Sequence, residues 1–187
     1  MKRGFTLIEL IVVTGIMVLI TSIMLANNAK FGGVVTLRNL AYDIALSIRE
    51  AQTYGISVRK FGTGAGEFGA GYGLDFRTSA NTSYLLFADT VGNNGLYDEA
   101  TELVQAYNIG RGFRITDICG TAMGSGAETC GLGRMTVVFV RPEPDARIRM
   151  NGGSSLYQRA RVIITSPQGD TASILVEATG QISIGEN

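Results

Sequence analysis

One carboxylate stands alone in the most apolar stretch of the chain. Lys2 and Arg3 come first, Gly4 follows, and Glu9 is the only charged residue from there to Ala26. A carboxylate inside hydrocarbon is costly unless it is neutralised or paired. A buried ammonium is equally costly alone, and the two are tolerable together. The chemistry that Glu9 offers is therefore ion pairing rather than catalysis.

Residues 5–26 have the length of a transmembrane helix. At a rise of ~1.5 Å per residue, about twenty helical residues reach ~30 Å, the thickness of a bilayer core. Lys2 and Arg3 predict that the N-terminus stays in the cytoplasm. We therefore expect a single-pass protein of the cytoplasmic (inner) membrane, with the C-terminal domain outside the cytoplasm. The alternatives are a secretory peptide, whose apolar region is shorter, and a plain anchor; neither explains Glu9.

The run Gly4-Phe-Thr-Leu-Ile-Glu9 resembles the class III signal of type IV pilins and type II secretion pseudopilins. The resemblance implies that residues 1–4 are a leader, which a prepilin peptidase removes after Gly4. It also implies that Phe5 becomes the N-methylated first residue of the mature chain. Glu9 would then pair with the amine of Phe5 on a neighbouring subunit, and this pairing would direct assembly.

Residues 27–60 have the pattern of an amphipathic helix that continues the membrane helix. Apolar residues recur at steps of three and four, and they are Val34, Leu37, Ala41, Ile44, Ile48, Ala51 and Val58. The opposite face carries Arg38, Asn39, Asp43, Ser47, Arg49, Glu50 and Gln52. Gly32-Gly33 is the natural place for a bend, and we expect a continuous or softly interrupted helix there. Residues 37–57 resemble the corresponding helix of the GspH/FimT-type minor pseudopilins.

Residues 61–187 predict an antiparallel β domain of short strands and turns. The expected strands cover 72–76, 84–88, 102–107, 113–118, 135–140, 161–165, 172–177 and 181–184. Ser166-Pro-Gln-Gly-Asp170 has the residues of a type I turn, and Thr179-Gly180 is a second tight turn. The fold class is therefore α+β. The resemblance implies a pilin-like fold, in which a long N-terminal helix packs on an antiparallel sheet.

The composition argues against an enzyme. The chain has 16 basic and 16 acidic residues and no histidine, so it lacks the commonest general base and metal ligand. Glu143 and Asp145 are close in sequence, but the proline-containing turn that holds them is a poor place to raise a carboxyl pKa by burial. We expect no catalytic residues. With a formal net charge of +0, no global field attracts nucleic acid.

The two cysteines, Cys119 and Cys130, predict a disulfide in a domain outside the cytoplasm. The alternative is half of a metal site, but the spacing is poor for zinc and no histidine is present. By chain entropy a disulfide closing a loop of this length stabilises by ~3 kcal/mol. It would restrain the glycine-rich run from Gly120 to Gly133.

Two further patterns suggest ligands, and both have a simpler interpretation. Gly64, Gly66 and Gly69 match a dinucleotide fingerprint, but a helix precedes them and a strand follows, which is the wrong order. The cluster of Asp89, Asn93, Asn94, Asp98 and Glu99 has oxygen ligands that suit calcium. Its spacing fails the EF-hand rule, because Asn94 occupies the glycine position. We favour self-capping turns and no cofactor, with calcium at Asp89, Asn93 and Asp98 as the alternative.

Binding of DNA is the alternative function to weigh. Some FimT-like minor pilins bind DNA through a C-terminal Gly-Arg-x-Arg motif. This chain has Gly180-Gln-Ile-Ser183 at the matching place, with neither arginine. Arg147, Arg149 and Arg161 lie in the same late region and are the residues left to neutralise phosphates.

The sequence therefore predicts a structural subunit, a minor pilin or pseudopilin, of a type IV pilus or a type II secretion pseudopilus. It would form a filament at the cell surface or in the periplasm by helix–helix stacking. Kinship implies as partners other pilins, the prepilin peptidase, and an inner-membrane assembly platform with its ATPase. The alternative is a FimT-like minor pilin that binds DNA or a surface at the filament tip.

Overall fold

A computed structural model describes residues 4–57, 60–62 and 69–186, without the side chains of 26–31 and 186. The described chain is one long helix followed by a curled antiparallel sheet, so the predicted α+β class is confirmed. Lys2, Arg3, Val58 and the glycines at 64 and 66 lie outside the described residues. The helix is α1, Leu7–Ile56. The strands are β1 Gly71–Arg77, β2 Ser83–Asp89, β3 Leu103–Asn108, β4 Arg114–Ala122, β5 Glu128–Thr129, β6 Arg134–Phe139, β7 Ala146–Met150, β8 Leu156–Thr165, β9 Thr171–Glu177 and β10 Ile182–Glu186.

Helix α1 runs without a break for 50 residues. It passes through Gly32-Gly33 as continuous helix, as the sequence predicted, although each glycine costs about 1 kcal/mol relative to alanine. The helix begins after Thr6, whose hydroxyl accepts the N–H of Glu9 at 3.4 Å. It ends at Ser57, which has extended backbone angles and whose N–H still bonds to the Thr53 carbonyl.

The sheet is a single antiparallel structure that curls around the second half of α1. Its main strand order is β10-β9-β8-β7-β6-β1-β2-β3, and β4 pairs with the other side of β8. The long strand β8 therefore has three neighbours. It meets β7 at its first residues, through the pair Ile148–Tyr157, and β9 further along. Strands β7 and β9 therefore pair with different parts of β8, so β6 and β7 lie beyond its first residues and β9 and β10 lie beside the rest.

The turns within the last three strands match the sequence. The Gly169 N–H bonds to the Ser166 carbonyl at 3.1 Å, which closes the turn that contains Pro167. The Gly180 N–H bonds to the Glu177 carbonyl at 2.8 Å. Gly180 has a φ of +80°, which favours glycine, and a side chain there would collide with the Pro144 carbonyl. Strands β8, β9 and β10 thus form the expected meander.

The core lies between one face of α1 and the inner face of the sheet. The buried helix residues are Leu37, Ala41, Ile44, Ile48 and Ala51. They pack with alternate residues of the strands, including Leu74, Phe76, Leu86, Val137, Phe139, Ile148, Val162, Ile164, Ile174 and Val176. Fully burying one such side chain stabilises by about 1.5–3 kcal/mol. At the end of the helix only glycine fits, because a Cβ on Gly55 would lie 2.3 Å from the Phe139 carbonyl oxygen.

Each of the eight predicted strands has a counterpart in the sheet, but two strands were missed. Strand β7 has the alternating pattern Ala-Arg-Ile-Arg-Met, whose apolar residues face the core. From this strand the sequence analysis singles out only Arg147 and Arg149, as possible phosphate contacts. Strand β5 has two residues and no such pattern. Strand β3 starts at Leu103 rather than residue 102, because Ala100–Glu102 form a 3₁₀ turn.

Candidate functional site

The first half of α1 is an apolar surface that the described chain does not cover. Leu7–Leu25 is long and apolar enough to cross a membrane, and none of it is buried. Its 19 residues extend ~29 Å as a helix. An uncovered apolar surface of this size marks contact with lipid or with other proteins. This segment is therefore the first candidate site, consistent with single-pass anchoring.

Glu9 lies in the first turn of α1, with its side chain exposed. No described lysine or arginine lies within ion-pair distance of it. Thr6 and Glu9 have the spacing of a capping box, a signal that the sequence reasoning overlooked. The carboxylate also lies at the positive end of the helix macrodipole. Within the described chain, Glu9 has helix-end stabilisation and no counter-ion.

The residues before the helix are open to a partner. Gly4 has non-helical backbone and nothing within 4 Å of a Cβ placed on it. The ring of Phe5 is exposed as well. Both residues are sterically accessible for the processing that the resemblance implies; the processing itself stays a prediction.

The second half of α1 is fixed to the sheet by polar side chains as well as by the core. The Tyr54 and Tyr107 hydroxyls donate to the two oxygens of Glu50, at 2.5 and 2.7 Å. Ser47 shares a hydrogen bond of 3.0 Å with the Tyr84 hydroxyl. The sequence placed Ser47 and Glu50 on the outer face, which is wrong, because both face the tyrosines of the sheet.

Gln52, two residues after Glu50, also fixes α1 to the β domain. Its side-chain N–H groups donate to the carbonyls of Pro144 and Gly180, at 3.0 and 3.2 Å. Gln52 was also placed on the outer face by the sequence, and it is buried. A buried amide is stable at this position because the loops that contain Pro144 and Gly180 each present a carbonyl that accepts its N–H groups.

Cys119 and Cys130 form the predicted disulfide. Cys119 is buried in β4, Cys130 follows β5, and the two sulfurs are bonded at 1.96 Å. Asp117 lies beside them and accepts the N–H groups of Ile118 and Gly131, at 2.8 and 2.9 Å. Among the described residues, Asp117, Cys119 and Cys130 are the one set of three acidic or cysteine side chains whose ligand atoms lie close enough together to share a metal ion. Since the sulfurs are bonded to each other, they offer no thiolate ligands.

The three arginines suggested for DNA are not one cluster. Arg147 and Arg149 lie on the outer face of β7, and neither has an ion-pair partner among the described contacts. Arg161 on β8 forms an ion pair with Glu128. Its neighbour Arg159 pairs with Glu177 at 2.8 Å. The structure thus leaves Arg147 exposed, half-buries Arg149 against Gly95, and pairs Arg161 with a carboxylate.

The loop between β2 and β3 is organised by a glutamate that the sequence reasoning missed. Glu102 is 0% exposed, and its carboxylate accepts the N–H groups of Thr90, Val91 and Asp98 at 2.8–3.0 Å. Asn94 caps its own turn by accepting the Leu96 N–H at 2.8 Å. The self-capping that the sequence favours is observed at Asn94 and at Asp89, whose Oδ2 accepts the Gly95 N–H at 2.8 Å, whereas Glu102 lay outside the predicted cluster.

A buried ion network holds the same loop against the outer face of the sheet. Asp75 on β1 is 1% exposed and accepts from Arg77 at 2.6 Å, from Arg134 at 2.5 Å and from the Thr136 hydroxyl at 3.0 Å. Arg134 also donates to the carbonyl of Tyr97 in the loop, at 2.6 Å. A charge this deeply buried is tolerable because it is paired and fully hydrogen-bonded.

Comparison with known proteins identifies no relative. No family model, no curated protein and no solved structure matches the chain.

Proposed function

We propose that this protein is a membrane-anchored structural subunit of a filament, a minor pilin or pseudopilin of a type IV pilus or a type II secretion pseudopilus. The observation that carries the proposal is the division of one unbroken helix into two halves. Leu7–Leu25 is uncovered and apolar, whereas the second half is fixed to a sheet. The uncovered apolar half of such a helix can leave the lipid and pack against the same half of other subunits.

Glu9 supports a filament over a plain anchor. An anchor needs only apolar residues, and a carboxylate in lipid opposes anchoring. In a stack of subunits the same carboxylate can neutralise an amine of the neighbour, here the amine of Phe5 after removal of the leader. Among the described residues of its own chain Glu9 has no counter-ion, and an amine of a neighbouring subunit would supply one.

N-terminal sequencing and intact mass of the mature protein test the processing step. We expect a chain that begins at N-methylated Phe5, because Gly4 precedes it in the peptidase signal. A Gly4→Glu variant should keep its leader and stay in the membrane unassembled. A mature parent chain that still begins at Met1 would contradict the proposal.

A second candidate function, binding of DNA at the filament tip, is favoured by Arg147 and Arg149. Both lie on one strand face without carboxylate partners. If they neutralise two phosphates, changing both to alanine lowers the salt slope of DNA affinity by about 1.8, at ~0.9 per phosphate. A gel-shift series at several salt concentrations measures this slope. Arg159→Ala, which removes an arginine already paired with Glu177, is the matched control.

A further inference from the structure

The β domain ends toward the membrane span in two adjoining turns, residues 110–113 and 166–170, which we call the basal turns. The first joins β3 to β4, and the second joins β8 to β9. The two turns contact each other, because a Cβ on Gly112 would lie 3.0 Å from the Cγ of Pro167. The basal turns therefore form one continuous surface at this end of the domain.

The length of α1 places this surface close to the lipid headgroups. Gln168 of the second turn lies against Gly33, where a Cβ would be 3.0 Å from its Oε1. Gly33 follows Leu25, the last residue of the candidate span, by ~12 Å of helix. The polar layer on each side of the hydrocarbon core takes up ~5–7 Å of that distance. The remaining ~5–7 Å is less than the Debye length of ~8 Å, so charges on the basal turns interact with charges of the headgroups.

Two arginines on this surface have no partner among the described residues. Arg111 lies in the first basal turn, and Arg114 is the first residue of β4, opposite Thr165. Both side chains are exposed. Neither forms an ion pair or a hydrogen bond with any residue that the structure describes.

The acids nearest these arginines leave their charges uncompensated. Asp170 accepts the Ser166 hydroxyl at 3.3 Å, within its own turn. Asp43 borders the same open cleft as Arg111, between α1 and the first basal turn, but no ion pair joins the two. The basal turns therefore present positive charge that no contact within the described chain uses.

The backbone conformation at Arg111 is unfavourable for an arginine. The Phe113 N–H bonds to the Gly110 carbonyl at 3.3 Å, which closes a tight turn with Arg111 and Gly112 at its centre. These two residues have φ values of +59° and +78°, a combination that favours asparagine and glycine. Because no described hydrogen bond or ion pair of Arg111 offsets this strain, the turn indicates a role for its side chain outside the chain.

We propose that the basal turns rest on anionic lipid headgroups, with Arg111 and Arg114 bound to the lipid phosphates. Arginine suits this partner, because its planar guanidinium binds phosphate oxygens through two parallel hydrogen bonds. A tilt of α1 by ~20°, the average for membrane helices, toward this side brings the arginines onto the headgroups. The contact requires the anchored state of the proposed function and does not require assembly into a filament.

Energy transfer from a single tryptophan to labelled headgroups measures this contact. The chain has no tryptophan, so one introduced into the full chain reports its own position. Gly110→Trp places it in the first basal turn, where a Cβ has nothing within 4 Å. Thr179→Trp places it at the opposite end of the domain, next to Gly180, whose carbonyl accepts from Gln52 near the end of α1. The proteins are reconstituted in vesicles of phosphatidylcholine, alone or mixed equally with phosphatidylglycerol, with a trace of dansyl-labelled phosphatidylethanolamine as the acceptor.

We expect transfer from Gly110→Trp to be higher with phosphatidylglycerol than without it. The rise should disappear in about 1 M salt, where the Debye length is ~3 Å. Adding Arg111→Asn and Arg114→Gln should abolish it, although the thermal midpoint of Arg111→Asn should not fall, because asparagine tolerates a positive φ. Arg159→Gln, which removes an exposed arginine that already has a carboxylate partner, is the matched control and should keep the rise. Thr179→Trp should show no rise.

Resistance to extraction by alkaline carbonate separates the headgroup contact from the anchor. A chain that carbonate extracts is not anchored, which would refute the anchor and the headgroup contact together. A chain that stays inserted, with equal transfer in both lipids, would refute the headgroup contact alone. A parent-like rise in the variant with both Arg111→Asn and Arg114→Gln would also refute it, as would an equal rise from Thr179→Trp.

Discussion

Glu9 is the residue at which the proposed function and ordinary helix capping make different predictions. Its backbone N–H bonds to Thr6, and its carboxylate lies in the first turn of α1. A carboxylate there is favourable in any helix, through the capping box and the macrodipole. The charge is required for assembly only if it pairs with an amine of another subunit.

Substitutions at Glu9 separate the two roles. Gln can replace Glu in a capping box but carries no charge. We expect Glu9→Gln and Glu9→Leu to abolish filaments alike, as measured by immunoblotting filaments sheared from cells. Thr6→Ala, which removes the cap at a cost of about 1 kcal/mol but keeps the charge, should still assemble. Normal filaments from Glu9→Gln would assign Glu9 to capping alone.

Asp75 is the residue whose loss should cost the most stability outside the apolar core. Asp75→Asn leaves Arg77 and Arg134 without a counter-charge next to a buried site. We expect a loss of about 3 kcal/mol in the free energy of unfolding, measured by urea denaturation. Glu177→Gln breaks the exposed pair with Arg159 and should cost at most about 1 kcal/mol. Equal losses in the two variants would contradict this ranking.

At the scale of elements, the periodicity of the sequence predicted the helix, its buried face and most of the strands. The three- and four-residue steps of Leu37, Ala41 and Ile44 placed the buried face of α1 correctly, and alternation or apolar runs located most strands. Polar residues at the contacts between elements could not be placed in this way. Asp75 alternates with apolar residues along β1, which is the pattern of a residue on the solvent-exposed face of a strand. It is buried because the fold places Arg134 and the β2–β3 loop over it.

The same limit applies to the candidate sites. Cys119 and Cys130 were predictable because cysteine chemistry does not depend on the strand pairing. The role of Glu102 could not be predicted, because the three residues whose N–H groups it accepts are brought near it only by the fold of the loop. The division of the three arginines likewise follows from which strand face each occupies.

The helix–sheet contact predicts a dependence of stability on alkaline pH. Burial raises the pKa of Tyr107 above its ordinary 10.0, and the hydrogen bond to Glu50 raises it further; burial also raises the pKa of Tyr84. The unfolded chain therefore releases these protons first as the pH rises through about 10. Stability is complete below that pH and falls above it. Urea midpoints from pH 8 to 11 measure the decline.

Matched variants assign this decline to the contact. Tyr107→Phe cannot ionise and should reduce the decline above pH 10, leaving the part due to Tyr84, whereas the exposed Tyr42→Phe should leave the decline unchanged. A parent-like decline in Tyr107→Phe would place the responsible group elsewhere.

At the scale of the whole molecule, the bare surface of α1 does not stop at the end of the membrane span. Val35, Tyr42 and Leu46 are spaced by seven and four residues, so they lie on one side of the helix. Tyr42 is 55% exposed and Leu46 is 65% exposed. Single exposed apolar residues are ordinary, but three in line with an uncovered span extend the same surface.

This stripe should form part of the contact between subunits in the proposed filament. Burying one large apolar side chain there stabilises by about 1.5–3 kcal/mol, so a charge in its place opposes packing between helices. We expect Leu46→Glu to keep its urea midpoint, because the side chain is 65% exposed, and to be excluded from filaments formed by the parent. Thr53→Glu, an exposed polar position further along α1, is the control and should be incorporated. Filaments that accept Leu46→Glu as readily as the parent would mean that subunits pack only through their membrane halves, with the second half of α1 serving the sheet alone.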